Sequence, residues 1–347
     1  YESGEDKRNQ DSINLFFPEE GCGEKLYLLP EENLNKKLGK QESCICYYPK
    51  MKVNITTHTS LTEFGDKNSP RRIAYSAQIY EFDKKTIEAT AKKIIDLGGN
   101  YVLPGVIDPH VHFQDPGFTE REDFEHGTMA AAAGGVTTTL SHPLDFPPTT
   151  TFEAVMVKEA AYVGKAYVDY GLHIGATADN IDLIEDLWRQ TGATAVKMFM
   201  CFSVAEFPFV NDEAMLAALE KVAEADAIAI IHAESEGILK LREKEVKASG
   251  RKDGIAYNMT HPAEAEIEAI QRALYYLELT GAKGVILHVS TAKGLRMIHE
   301  AKARGVKVYA ESAPHLFQFT VDDMAEKGPY LKFSPVMHDK ANQQEMW

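Results

Sequence analysis

From about residue 93 onward the chain alternates short apolar runs with amphipathic stretches, and this constrains its fold more than any other feature. The apolar runs fall at 102–112, 135–142, 169–176, 193–200, 227–234, 284–290 and 306–315, and each has the length of a buried strand. Helical spacing predicts helices over 124–133, 151–163, 181–189, 213–224, 262–279 and 293–303. Such a repeat is the pattern of parallel strands joined by crossover helices. Seven strand–helix units in about 240 residues fit an α/β fold of the (β/α)8 TIM-like barrel type better than an open doubly wound sheet. No Gly-x-Gly-x-x-Gly follows the first strand, so a dinucleotide-binding fold is not supported. A seven-stranded barrel would leave two bare edges. The eighth strand is therefore expected beyond Trp347.

Residues 1–93 have a different texture, rich in Glu, Lys, Asn and Pro, and read as an accessory domain or a partly ordered extension. Within them, the alternation from Arg72 to Tyr80 predicts a strand. Residues 94–347 form the predicted barrel domain. The net charge of -15 argues against nucleic acid or an anionic membrane as the main partner. No apolar run reaches the length of a membrane span, and the N-terminus has no signal-peptide character. Four cysteines, Cys22, Cys44, Cys46 and Cys201, do not make a disulfide framework in a chain of this length and read as reduced thiols of a cytoplasmic protein.

Ligand-type residues collect at the predicted C-terminal ends of the strands, where barrels of this kind carry their chemistry. His110 and His112 follow the first strand, and residues two apart on a strand point the same way. Two imidazoles projecting together are a plausible pair of metal ligands, because neutral histidine is the commonest such ligand near pH 7. His232 and His288 end the fifth and sixth strands, and His315 the seventh. Either of the first two alone would be read as a satisfied core histidine; together they argue for one centre. Lys197 lies within the apolar fourth strand, where an ammonium is costly to bury. It reads either as an ion pair, with Glu234 as the candidate partner, or as a neutral amine that takes up CO2 and becomes a carbamate. His58, His126, His142, His173, His261, His299 and His338 fall outside the pattern.

The motif from Leu103 to Phe113, with the ordered set His110-x-His112, Lys197, His232 and His288, resembles the cyclic amidohydrolases of the amidohydrolase superfamily: allantoinase, hydantoinase/dihydropyrimidinase and dihydroorotase. The resemblance covers residues 93–347. It implies two divalent metals, usually zinc, bridged by a carboxylated Lys197. His110 and His112 would hold the more buried metal and His232 and His288 the more exposed one. It also implies a proton-shuttling Asp after strand eight, expected beyond Trp347, and a homotetramer or homodimer. The small-molecule substrate would be a cyclic amide or ureide.

Within that family, Asp145 to Thr150 and Val204 to Pro208 look most like allantoinase, while Lys197 to Met200 looks like hydantoinase. The hydantoinase pattern continues to a Tyr that helps hold the oxyanion, where this chain has Phe202. Dihydroorotases carry an Arg two residues after the histidine pair, where this chain has Gln114. Ser334 matches a Ser whose backbone contacts the cyclic amide in hydantoinases. Gln114, Phe202, His315 and Ser334 are thus the expected substrate-facing positions, and the expected activity is allantoinase-like. The alternatives are a hydantoinase/dihydropyrimidinase and a non-catalytic scaffold relative. A mononuclear deaminase of the same superfamily is argued against by Lys197.

Overall fold

The computed structural model describes residues 103–205 and 207–347, together with five strands of the N-terminal region by their backbone. Those strands are β1 (Lys25–Leu28), β2 (Ser43–Tyr48), β3 (Val53–Thr62), β4 (Arg72–Tyr80) and β5 (Lys93–Asp96). They form one sheet in the order β4-β3-β2-β1-β5, with antiparallel pairing at each contact. The strand expected from Arg72 to Tyr80 is β4. The chain divides into two compact units, Tyr1–Val106 and Ile107–Trp347. Because β5 pairs with β1, the residues just after 93 belong to the N-terminal sheet, although sequence reading assigned them to the barrel domain.

The second unit is a TIM-like barrel. Its strands are β6 (Val106–Val111), β7 (Val136–Ser141), β8 (Asp169–Leu172), β9 (Ile174–Gly175), β10 (Val196–Phe199), β11 (Ile228–His232), β12 (Lys283–Ile286) and β13 (Val308–Ala310). They neighbour one another in sequence order, as β6-β7-β8 and β9 through β13. β8 and β9 are two parts of one stretch interrupted at His173. His173 N bonds back to Ser141 O on one side, and Ile174 N bonds forward to Ala195 O on the other.

The predicted helices are present, among them α1 (Phe124–Ala133), α2 (Phe152–Tyr162), α3 (Ile184–Thr191) and α4 (Asp212–Glu224). Two more, α5 (Glu236–Ser249) and α6 (Gly254–Thr260), fill a stretch for which the sequence reading assigned no element. α7 (Ala263–Thr280) and α8 (Ala292–Ala303) follow. Side-chain caps fix where several helices begin: Asp123, Thr151, Asn211 and Thr291 each accept from a backbone N–H of the first turn. The Thr291 cap starts α8 three residues after His288, which closes that strand–helix loop tightly.

Strand alternation divides the core into two layers. Val196, Met198, Ala229, Ile231 and Ile286 point outward and pack with helix residues such as Leu219, Ile270 and Leu277. Ala195, Ile230 and Leu287 meet inside, with Val285 against them. Lys197 and His232 lie two residues beyond Ala195 and Ile230, on the same inward face. The site therefore rests on an apolar plug.

Candidate metal centre

His110 and His112 come together as strand geometry predicts, with their Nε2 atoms 3.2 Å apart. Two nitrogens on one tetrahedral zinc, each about 2.0–2.1 Å from it, would be about 3.3 Å apart. The Glu311 carboxylate lies 2.8 and 3.0 Å from His110 Nδ1. With the Nδ1 proton donated to Glu311, the lone pair of Nε2 is left facing His112. The same device recurs across the site, where His232 Nε2 lies 2.7 Å from Glu234 Oε2, and Ser334 Oγ donates to that oxygen at 2.8 Å.

The ring of His288 lies 4.7 Å from that of His232 and 5.4 Å from that of His110. Its position is not a result of regular strand geometry. β12 ends at Ile286, Leu287 faces the barrel interior, and alternation would send the next side chain outward. His288 instead has a φ of +36°, an uncommon left-handed backbone for a residue with a Cβ. That turn brings its ring to the other histidines.

Burial, first of all, holds these imidazoles uncharged. The pKa of His110 falls to about 3, with the Lys197 charge adding to the effect. His112 and His288 are held well below the ordinary value, and His232 is lowered despite its bond to Glu234. Neutral imidazole is the form that binds a metal. Among the described residues His288 Nδ1 is buried with no hydrogen-bond partner, a costly arrangement unless something else uses the nitrogen. The donor set therefore fits divalent cations.

Lys197 is 1% exposed, with its Nζ 4.2 Å from the centre of the Phe199 ring. Glu234, the candidate ion-pair partner, is engaged instead by His232 and Ser334. Burial pulls the Lys197 pKa down to about 7, against a weaker opposing pull from Glu311. A large fraction of the amine is thus uncharged at neutral pH.

The other expected residues are more scattered. Ser334 reaches the centre through Glu234. Gln114 is half-buried, and its backbone is bonded within the loop after β6, to Glu122 and Phe118. Phe202 is 60% exposed, and its backbone N–H donates to Glu236. His315 does not end a strand: β13 stops at Ala310, and His315 lies on the short helix α9 (Pro314–Gln318), stacked on Phe333 with ring centres 3.9 Å apart. Of the allantoinase-like stretch from Val204 to Pro208, Glu206 lies outside the described residues.

Two further residues lie against His110: Glu311, which the sequence reading does not single out, and His142, which it sets outside the pattern. Glu311 directly follows β13, the same strand-end signal that singled out His110, but the reading passed over it for His315. His142 directly follows β7 and stacks on His110, with ring centres 4.0 Å apart and planes 13° apart.

The comparisons agree with this class of fold. The model of the amidohydrolase family matches residues 101–328. An L-hydantoinase of Paenarthrobacter aurescens is 36% identical over 264 residues, covering 76% of this chain and 57% of the relative. An allantoinase of Desulfitobacterium hafniense is 37% identical over 264 residues, covering 75% of this chain and 58% of the relative. The solved L-hydantoinase from Arthrobacter aurescens superimposes with a TM-score of 0.74 at 33% identity, over 85% of this chain and 62% of that one. The chain thus belongs to the amidohydrolase family, and it spans somewhat over half the length of the curated relatives it matches. The family is metal-dependent, and this chain carries a histidine-rich site suited to metal.

Proposed function

We propose that this protein hydrolyses a cyclic amide or ureide ring, as an allantoinase-like binuclear metal enzyme. The observation that carries the reading is the meeting of uncharged histidines, half-buried or buried, from three strand ends around a buried lysine whose pKa is about 7. In this reading His110 and His112 hold one divalent cation, His232 and His288 hold the other, and zinc is the expected metal. An uncharged Lys197 amine would add to CO2 with loss of a proton, and the resulting carbamate would supply the centre with an anionic oxygen ligand.

When bound, such a cation pair acidifies water and polarises a carbonyl. The chain's own residues do the rest. Glu311 and Glu234 fix the tautomer and ring angle of His110 and His232. The apolar layer beneath the site keeps water out from below. Ser334 Oγ donates to Glu234, and in this reading the Ser334 backbone would meet the ring amide while Gln114, Phe202 and His315 would line the approach.

The choice of ring rests on two side chains. Gln114 cannot make the bidentate grip on a carboxylate that an Arg provides. Phe202 lacks a hydroxyl to donate to a developing oxyanion. A ring bearing its own ureido arm, as allantoin does, supplies polar contacts of its own. Hydantoinase/dihydropyrimidinase activity is the second reading, supported by the likeness to L-hydantoinases in sequence and structure. A homotetramer or homodimer in the cytoplasm is the expected setting. Among the described residues no helix is long and apolar enough to cross a membrane.

The test is elemental analysis of the protein with the expected eighth strand and its Asp included, together with an activity panel of allantoin, hydantoin, dihydrouracil and dihydroorotate. About two metals per chain and turnover in the order allantoin, hydantoin, dihydroorotate are expected. Best activity on dihydroorotate would overturn the ranking. No bound metal together with no turnover of any ring would favour the scaffold alternative.

A further inference from the structure

His142 stands apart from the other histidines of the second unit. It is 1% exposed, and among the described residues neither Nδ1 nor Nε2 has a hydrogen-bond partner. His173 offers a direct contrast. It is equally buried, but its Nε2 is 3.0 Å from Pro109 O and its Nδ1 is 2.9 Å from Thr194 Oγ1. His173 is therefore a satisfied core histidine that ties β6 to its neighbours. His142 has no such partner among the described residues, and leaving a buried imidazole with both nitrogens unpaired is costly.

Its surroundings indicate what it could bind. The ring lies 4.0 Å from His110 and 4.8 Å from His112, centre to centre. One nitrogen from each of the three residues falls within 4.8 Å of the others. We propose that His142 is a third imidazole of the metal centre, on the side held by His110 and His112. The inference rests on the metal-dependent reading above. The ring now stacks nearly parallel to His110, so it must turn about its Cβ–Cγ bond to aim a nitrogen at the shared ion. That torsion is broad and soft in histidine. Its position is well fixed otherwise: His142 N donates to Val111 O, and its own carbonyl accepts from Lys158 Nζ at 2.6 Å. Lys158 is in turn paired with Asp145. A third neutral imidazole would tighten the ion without adding charge.

The test uses cobalt(II) as a spectroscopic probe on the whole protein after metal removal. His142→Met keeps a buried, unbranched apolar side chain of similar volume. It should weaken cobalt binding at least about tenfold and alter the visible cobalt spectrum, while His112→Ala loses binding more severely. Unchanged affinity and spectrum in H142M, with His112→Ala impaired, would overturn the inference and leave the metal-dependent reading standing. No cobalt binding by the unaltered protein would sink both. X-ray absorption on the unaltered protein guards against a variant that fails to fold. It should count five imidazoles on the metal pair, and a count of four would refute the proposal.

Discussion

The Glu311 carboxylate lies 2.8 Å from His110 Nδ1, across a sequence separation of 201 residues. This pair joins the first strand of the barrel to the last one described, and it fixes which nitrogen of His110 is free to bind.

Removing that support should cost metal affinity more than it costs stability. Glu311→Ala is expected to weaken metal binding by about 10–100-fold, the usual effect of losing a carboxylate behind a ligating histidine. Competition against a chromophoric chelator measures it. Glu311→Gln can still accept a hydrogen bond from His110 and should lose less. Equal losses in the two variants would mean that charge, and not orientation, is what Glu311 supplies.

Lys197→Ala should abolish most metal binding and activity, since in the proposed centre it removes the anion shared by both cations. A small carboxylic acid added in solution should partly restore both. Normal metal content in Lys197→Ala, read by elemental analysis, would make this lysine structural.

Glu266 on α7 gives a pH prediction. Its carboxylate accepts from Ser290 N and Ser290 Oγ, yet burial raises its pKa to about 7. A carboxyl whose pKa is higher folded than unfolded favours the fold below the unfolded value, near 4.5. That advantage is lost as pH rises through 7. Glu266→Gln does not titrate. Between pH 4.5 and 7 its stability should therefore gain on that of the unaltered protein by about 3 kcal/mol. Urea unfolding of both proteins at several pH values tests this, and parallel pH profiles would refute it.

Gly127 on α1 is set against the residue that follows the histidine pair. A Cβ at 127 would come within 2.3 Å of the Phe113 ring. Phe113 is itself packed edge-on to Phe124 and Tyr162 and has little room to move. Gly127→Ala should cost about 1–3 kcal/mol in thermal or urea unfolding, as overpacking does. A stability gain, as expected for Ala in an open helix, would show that Phe113 can shift freely.

Much of this protein was legible in the sequence because the signals are local. An apolar run over 102–112 and helical spacing over 124–133 each state their own element, so β6 and α1 fall inside or on the expected bounds. His110, His112, Lys197 and His232 follow from the same rule, since strand alternation decides where each side chain points. Tertiary structure decided what alternation does not encode. The positive φ of His288 turns its ring inward, against the strand pattern. The pairing of β5 with β1 keeps the residues just past 93 in the N-terminal sheet, and the early end of β13 moves His315 onto a helix beside Phe333. Glu311 and His142 come to lie against His110 because barrel geometry carries neighbouring strand ends to one place. The partner of a buried polar group is chosen by distance in space, which the order of residues along the chain does not record.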